Sequence, residues 1–265
     1  MRLGLVLPEG REAEVARVAE RHGLFGVLAG AGNPLTAVIA ATYASTATEF
    51  ARVVVRVTLG LEHPVIIAEE LAVLDNINNG RTIVLVDTGH LDETAATDEV
   101  AVIREALASR PIEHAGPVWK VPAGLPANAT APTSISVTPK PAQVEVPFWV
   151  TGGAATAIGS RHGIPVLAEA VDQVGGGGLV QPARDSISGD LARDRERVSS
   201  WARNGFTHLL IDLPAGPIEE TMVSVSRHLL PEVAMPHFPR VMSQSSVPLP
   251  WPGRADPIDS EDGRH

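Results

Sequence analysis

The run Arg52-Val53-Val54-Val55-Arg56-Val57-Thr58-Leu59-Gly60-Leu61 leads into Glu62-His63-Pro64, and after Asn78-Asn79-Gly80 comes Thr82-Ile83-Val84-Leu85-Val86-Asp87. Valine-rich runs of this length, lacking a clean polar alternation, belong to parallel strands covered on both faces. Pro64 suits the first position of a helix, where its missing N–H costs nothing. Ala68, Leu71, Ala72, Leu74 and Asp75 then fall near one helical face, and Asn79-Gly80 ends the helix. A strand, a helix and a second strand in this order form one parallel crossover unit.

The same unit repeats on either side. Residues 3–7 form a short apolar run ending at Pro8, and residues 11–22 follow with helical spacing and a stop at Gly23. Residues 25–28 read as the next strand. Asn33-Pro34 then starts a helix along which Leu35, Val38, Ile39, Thr42, Tyr43 and Thr46 keep i, i+3, i+4 spacing. The stretch 24–48 carries no charge, but Gly30-Ala31-Gly32-Asn33-Pro34 interrupts it. It reads as a buried strand, a loop and a buried helix rather than a membrane span. After residue 87 comes a helix over 93–109.

Residues 110–146 break the rhythm with repeated prolines and read as an extended excursion over a barrel mouth. The alternation resumes with a strand at 148–151, a helix at 154–162, a strand at 164–170, a helix at 190–204, a strand at 206–213 and a helix at 217–230. An eighth strand would have to come from 177–181. The expectation is an α/β fold, a (β/α)8 barrel trimmed in its last third. Residues 1–235 form one domain in this reading, and 236–265 a proline-rich tail.

Composition excludes several classes of function. Twenty-one basic against 31 acidic residues give a net charge of −10, which disfavours nucleic acid or an anionic membrane as partner. The absence of cysteine removes disulfides, thiolate metal sites and a thiol nucleophile. Aromatic residues make up only 4%, so a ligand would be held largely by aliphatic side chains and backbone. The N-terminal apolar run is too short for an export signal, and the expected location is cytoplasmic. No serine-hydrolase, P-loop or zincin motif occurs.

In a parallel barrel, chemistry sits at the C-terminal ends of the strands. Thr151-Gly152-Gly153 joins a strand to a helix and reads either as a phosphate cradle or as a tight turn. The glycine run that includes Gly177 and Gly178 is either a second phosphate contact or a linker. Asp87-Thr88-Gly89-His90 reads as an acid–base pair or metal site, or as an acidic turn before a capped helix. His63, just ahead of Pro64, reads as a packed, hydrogen-bonded residue.

The chain resembles the luciferase-like monooxygenase family. The similarity rests on His63-Pro64, Ala68-Glu69, Leu74-Asp75, Gly80-Arg81 and the strand that follows. Gly116-Pro117-Val118-Trp119 and Pro139-Lys140-Pro141-Ala142-Gln143 before 146–150 extend it. The resemblance implies a TIM barrel that binds reduced FMN or the 8-hydroxy-5-deazaflavin coenzyme (F-420) and acts as an oxidoreductase on a small organic substrate. It also implies a homodimer, or a heterodimer with a related barrel. By position, Thr58, Thr88, Gly89, Thr151, Gly152, Gly153, Gly177 and Gly178 would hold the cofactor, and a non-prolyl cis peptide would fall around residues 58–61. His90 would act on a substrate oxygen, oriented by Asp87 or Glu62. Ala29-Gly30-Ala31-Gly32 stands where deazaflavin-using relatives carry polar residues. The alternative is therefore a non-catalytic flavin-binding or partner subunit; a metal-dependent hydrolase is the remaining reading.

Overall fold

The computed structural model describes residues 1–123, 132–170, 180–214 and 216–230. The strands are β1 (Arg2–Val6), β2 (Gly26–Ala29), β3 (Arg52–Thr58), β4 (Thr82–Asp87), a short hairpin of β5 (His114–Ala115) and β6 (Lys120–Val121), β7 (Phe148–Thr151), β8 (Pro182–Ser186) and β9 (His208–Asp212). The α-helices are α1 (Glu12–Arg21), α2 (Ala37–Ala47), α3 (Pro64–Ile77), α4 (Glu93–Leu107), α5 (Ala155–His162), α6 (Leu191–Arg203) and α7 (Ile218–Ser224).

Seven strands form one sheet in the order β7-β4-β3-β2-β1-β9-β8, every pairing parallel. Residues 164–168 join its two edges. Val166 bridges to Val150 of β7 and Ala168 to Ala183 of β8, both in parallel. The Leu167 N–H donates to the Val150 carbonyl at 2.8 Å, and the Arg184 N–H to the Ala168 carbonyl at 2.8 Å. The ring therefore closes as an eight-stranded (β/α) barrel with one weakly paired strand. Its lumen is plugged by Val6, Leu28, Val54, Leu85, Trp149, Leu167 and Leu210, a cluster separate from the shell between strands and helices.

Two expectations need correction. The last third supplies its strand at Pro182–Ser186, not at 177–181, of which 177–179 lie outside the described residues, as do Gly177 and Gly178. Polar residues hide this strand: Arg184 pairs with Asp212, while Asp185 pairs with Arg197 and accepts from Trp201 Nε1 at 2.8 Å.

The described parts of the 110–146 excursion pack on α3 and α4, and its centre, 124–131, lies outside the described residues. Asp98 of α4 takes the Val118 and Trp119 N–H groups and lies 2.9 Å from His114 Nε2. Lys140 caps the end of α4 through the Ala106 carbonyl at 3.1 Å, and also through that of Ala108. The second correction concerns residues 58–61. The cis bonds among the described residues are Val121-Pro122 and Thr138-Pro139, and the chain turns after β3 through Gly60 at φ +79°.

Helix α2 is oriented by its small residues. Ala37, Ala40, Ala41, Ala44 and Ser45 face the barrel, whereas Leu35, Ile39 and Tyr43 are each more than half exposed. A helix reaches closely packed neighbours through its shortest side chains, so the larger apolar stripe is turned outward.

Most of the sequence landmarks around α3 are clamps between elements. Buried Asp75 accepts from the Gln143 N–H at 2.9 Å and from Gln143 Nε2 at 2.8 Å. The Arg81 guanidinium is held by the carbonyls of Ser45, Thr48, Ala51 and Asn78. His63 caps α3 by accepting the Val65 N–H and packs edge-on against Trp119, with ring centroids 4.6 Å apart.

Candidate active site at the barrel mouth

Above the apolar plug, side chains of alternate strand positions face the C-terminal mouth. On β3, Arg52, Val54, Arg56 and Thr58 share the lumen face, because Cβ directions alternate along a strand. Arg56 reaches Asp87 at the end of β4, with Nη2 2.6 Å and Nε 3.2 Å from Oδ2. Its Nη1 donates weakly to the Ala31 carbonyl at 3.4 Å. Asp87 Oδ1 accepts the Gly89 N–H at 3.1 Å. Across the ring, Arg184 of β8 forms a two-point pair with Asp212 of β9 at 2.8 and 2.9 Å. The Asp212 carboxylate raises the Arg184 pKa, with a further contribution from Glu169.

A cleft of about 510 Å³ opens between the β2, β3 and β4 ends. Its polar side chains are Arg56, Thr58, Asp87 and His90, set among Gly30, Gly32, Gly60, Gly89 and aliphatic residues. Thr58, Asp87, Gly89 and His90 are thus brought together as the sequence predicts.

The other predicted residues lie elsewhere. Glu62 is exposed and lines a different groove, between α2 and α3, with Glu69 and Glu70. Both Asp87 oxygens are engaged by Arg56 and Gly89, so neither Asp87 nor Glu62 orients His90, an exposed rim residue without a hydrogen-bond partner among the described residues. Thr88 is fully buried, and its Oγ1 accepts the Ala154 N–H at 3.3 Å, tying the turn after β4 to the turn after β7. Thr151 is half-buried at the end of β7, and Gly152 and Gly153 are exposed beyond it. A Cβ on Gly153 would meet nothing within 4 Å, so its backbone stands open at the start of α5.

Arg56 and Arg184 escape the sequence reading. The signal for Arg56 is present, as an arginine within a valine run on the lumen face, four residues after Arg52. Arg184 carries no such signal, because its strand does not read as one. Among the described residues, no group of three or more His, Asp or Glu is placed to hold a metal ion. No helix among them is long and apolar enough to cross a membrane.

The family model described as luciferase-like monooxygenase matches residues 8–175. No curated protein matches the chain in sequence. Among solved structures, the chain is similar to the monooxygenase RslO1 from Streptomyces bottropensis, at 16% identity and a TM-score of 0.65, covering 88% of this chain and 100% of that one. It is also similar to the coenzyme F-420 dependent tetrahydromethanopterin reductase from Methanopyrus kandleri, at 15% identity and a TM-score of 0.62, covering 88% and 99%. A riboflavin lyase solved with modified FMN and riboflavin aligns at 13% identity and a TM-score of 0.51, covering 79% of this chain and 61% of that one. At these identities the likeness is one of fold.

Proposed function

The chain belongs to the luciferase-like monooxygenase family, and from that premise we propose that it is a cytoplasmic oxidoreductase of small organic substrates. Its cofactor in this reading is FMN or the deazaflavin coenzyme F-420, the two named for the F-420 dependent reductase and the riboflavin lyase of the same fold. The observation that carries the proposal is the mouth cleft. It lies at the C-terminal ends of parallel barrel strands and is walled by glycine backbone and aliphatic residues with few polar side chains.

The residues present suit a flat ring system. Gly89, Gly152 and Gly153 carry no side chain, and the Gly153 backbone has free space around it for a phosphate arm. A reduced flavin or deazaflavin would supply the hydride, and reduced FMN could also react with oxygen. The chain's own part is to bind, orient and exclude water. Leu59, Leu61 and Leu91 supply apolar wall, Thr58 and the Arg56–Asp87 pair offer hydrogen bonds at a set place, and His90 reaches the mouth from its rim. His90 is proposed to donate a proton to a substrate oxygen. A His90→Ala variant with unchanged turnover would remove that role.

The test is retention of cofactor. Purified protein incubated with FMN and, separately, with the deazaflavin is passed through a desalting column, and the visible spectrum is recorded. Retention of one of them, with turnover of an added reductant or substrate, is expected. Retention of neither overturns the reading. Retention without turnover favours the non-catalytic flavin-binding subunit.

A further inference from the structure

We propose that the mouth cleft recognises a substrate carboxylate through the outer edge of the Arg56 guanidinium. This rests on the reading of the mouth as a substrate site, and it names the class of substrate. A guanidinium offers five N–H donors on three edges. Asp87 takes the edge formed by Nε and Nη2, and the Ala31 carbonyl takes one hydrogen of Nη1. One hydrogen each from Nη1 and Nη2 has no partner among the described residues, and these two make the outer edge when Ala31 holds the Nη1 hydrogen beside Cδ. The side chain is 27% exposed and lines the cleft, so that edge is open to a ligand.

Two parallel N–H groups held in a plane match the two oxygens of a carboxylate. Asp87 and Ala31 fix the fork before any ligand arrives, which lowers the ordering cost of binding. Arg184 is less suited to the task. Its Asp212 pair uses both carboxylate oxygens, and Glu169 adds a second negative charge nearby. The rest of the Arg56 cleft is aliphatic, with Pro34, Leu59, Leu61 and Leu91 around it. An apolar acid therefore fits better than a polar one.

The experiment is calorimetric titration of flavin-free protein with hexanoate and with hexanamide, which has a similar shape and no charge. Wild type is expected to bind hexanoate at least about tenfold more tightly than hexanamide, as a charge-assisted bidentate contact requires. Arg56→Met should abolish that preference. Arg56→Lys, which keeps the charge and loses the fork, should retain part of the preference, and it carries the test if Arg56→Met does not fold. Equal affinity for acid and amide, no binding of hexanoate, or an undiminished preference in Arg56→Met overturns the proposal. Because no flavin is present, these outcomes are separate from the cofactor-retention result.

Discussion

At the scale of single residues, the mouth is built on positions that admit little change. Gly152 has φ +98°, and a Cβ there would lie 2.4 Å from Thr88 Oγ1 and 3.0 Å from Asp87 Oδ1. Gly152→Ala should therefore cost about 2 kcal/mol or more of unfolding free energy, measured by urea titration, since it adds both backbone strain and a collision. A variant of wild-type stability would show that the two turns are not in contact. Gln143 is a second such position. Its amide donates to Asp75 and, at 2.9 Å, to the Thr82 carbonyl, both buried. Gln143→Ala should destabilise by about 1–3 kcal/mol, the usual cost of stranding buried acceptors. Gln143→Glu should cost more, because it sets a second carboxylate against Asp75. The motifs that carry the family resemblance in this region are thus largely structural, and Arg56, which lines the cleft, is not one of them.

At the scale of elements, the repeated units were legible because each strand is a short valine- or leucine-rich run and each helix has a start or stop signal. Arg52–Thr58, Pro64–Ile77 and Thr82–Asp87 fall where the spacing places them. Pro182–Ser186 was not legible, since it begins with proline and carries an arginine and an aspartate whose partners, Asp212 and Arg197, are distant in sequence. Strand-end residues could be listed from the sequence, but Asp87 paired to Arg56 rather than to His90 could not, because that depends on β3–β4 register. Helix α2 shows the same limit: its periodicity was visible, and its orientation was not. Leu35, Ile39 and Tyr43 on and before α2 and Ile66, Val73 and Ile77 of α3 are large apolar side chains left exposed. Leu35, Ile39 and Val73 line one groove between α2 and α3, and exposed apolar side chains gathered this way suit an association surface. We propose that it joins two copies of the chain. Wild type should then run as a dimer in light-scattering chromatography, and Ile39→Glu as a monomer. A monomeric wild type would overturn the homodimer and leave a related barrel as the partner.

At the scale of the whole molecule, the barrel has two different ends. The mouth keeps its charges paired and partly wet, whereas the floor half-buries an imidazole. His208 at the start of β9 packs against Phe25 and Trp149, with ring centroids 5.0 and 5.6 Å away. Burial pushes its pKa down to about 4, and the positive charges of Arg2 and the N-terminal amine act in the same direction. In the unfolded chain the same imidazole protonates near its ordinary value of about 6.5. Above that pH the group is neutral in both states and its share of stability is fully present. As pH falls from about 6.5 towards 4, the unfolded chain takes up a proton that the folded barrel refuses, and stability drops by at most about 3 kcal/mol. Carboxylates add their own acid losses, so the informative quantity is the difference between wild type and His208→Leu. Urea midpoints measured from pH 7.5 to 4.5 should converge on the acid side, with the wild-type slope steeper by up to one proton. Parallel curves would show that His208 is protonated in the folded barrel. The cleft residues should not shift that difference, because Arg56 and Asp87 lie at the opposite end of the lumen, beyond the apolar plug formed by Val54, Leu85 and Trp149.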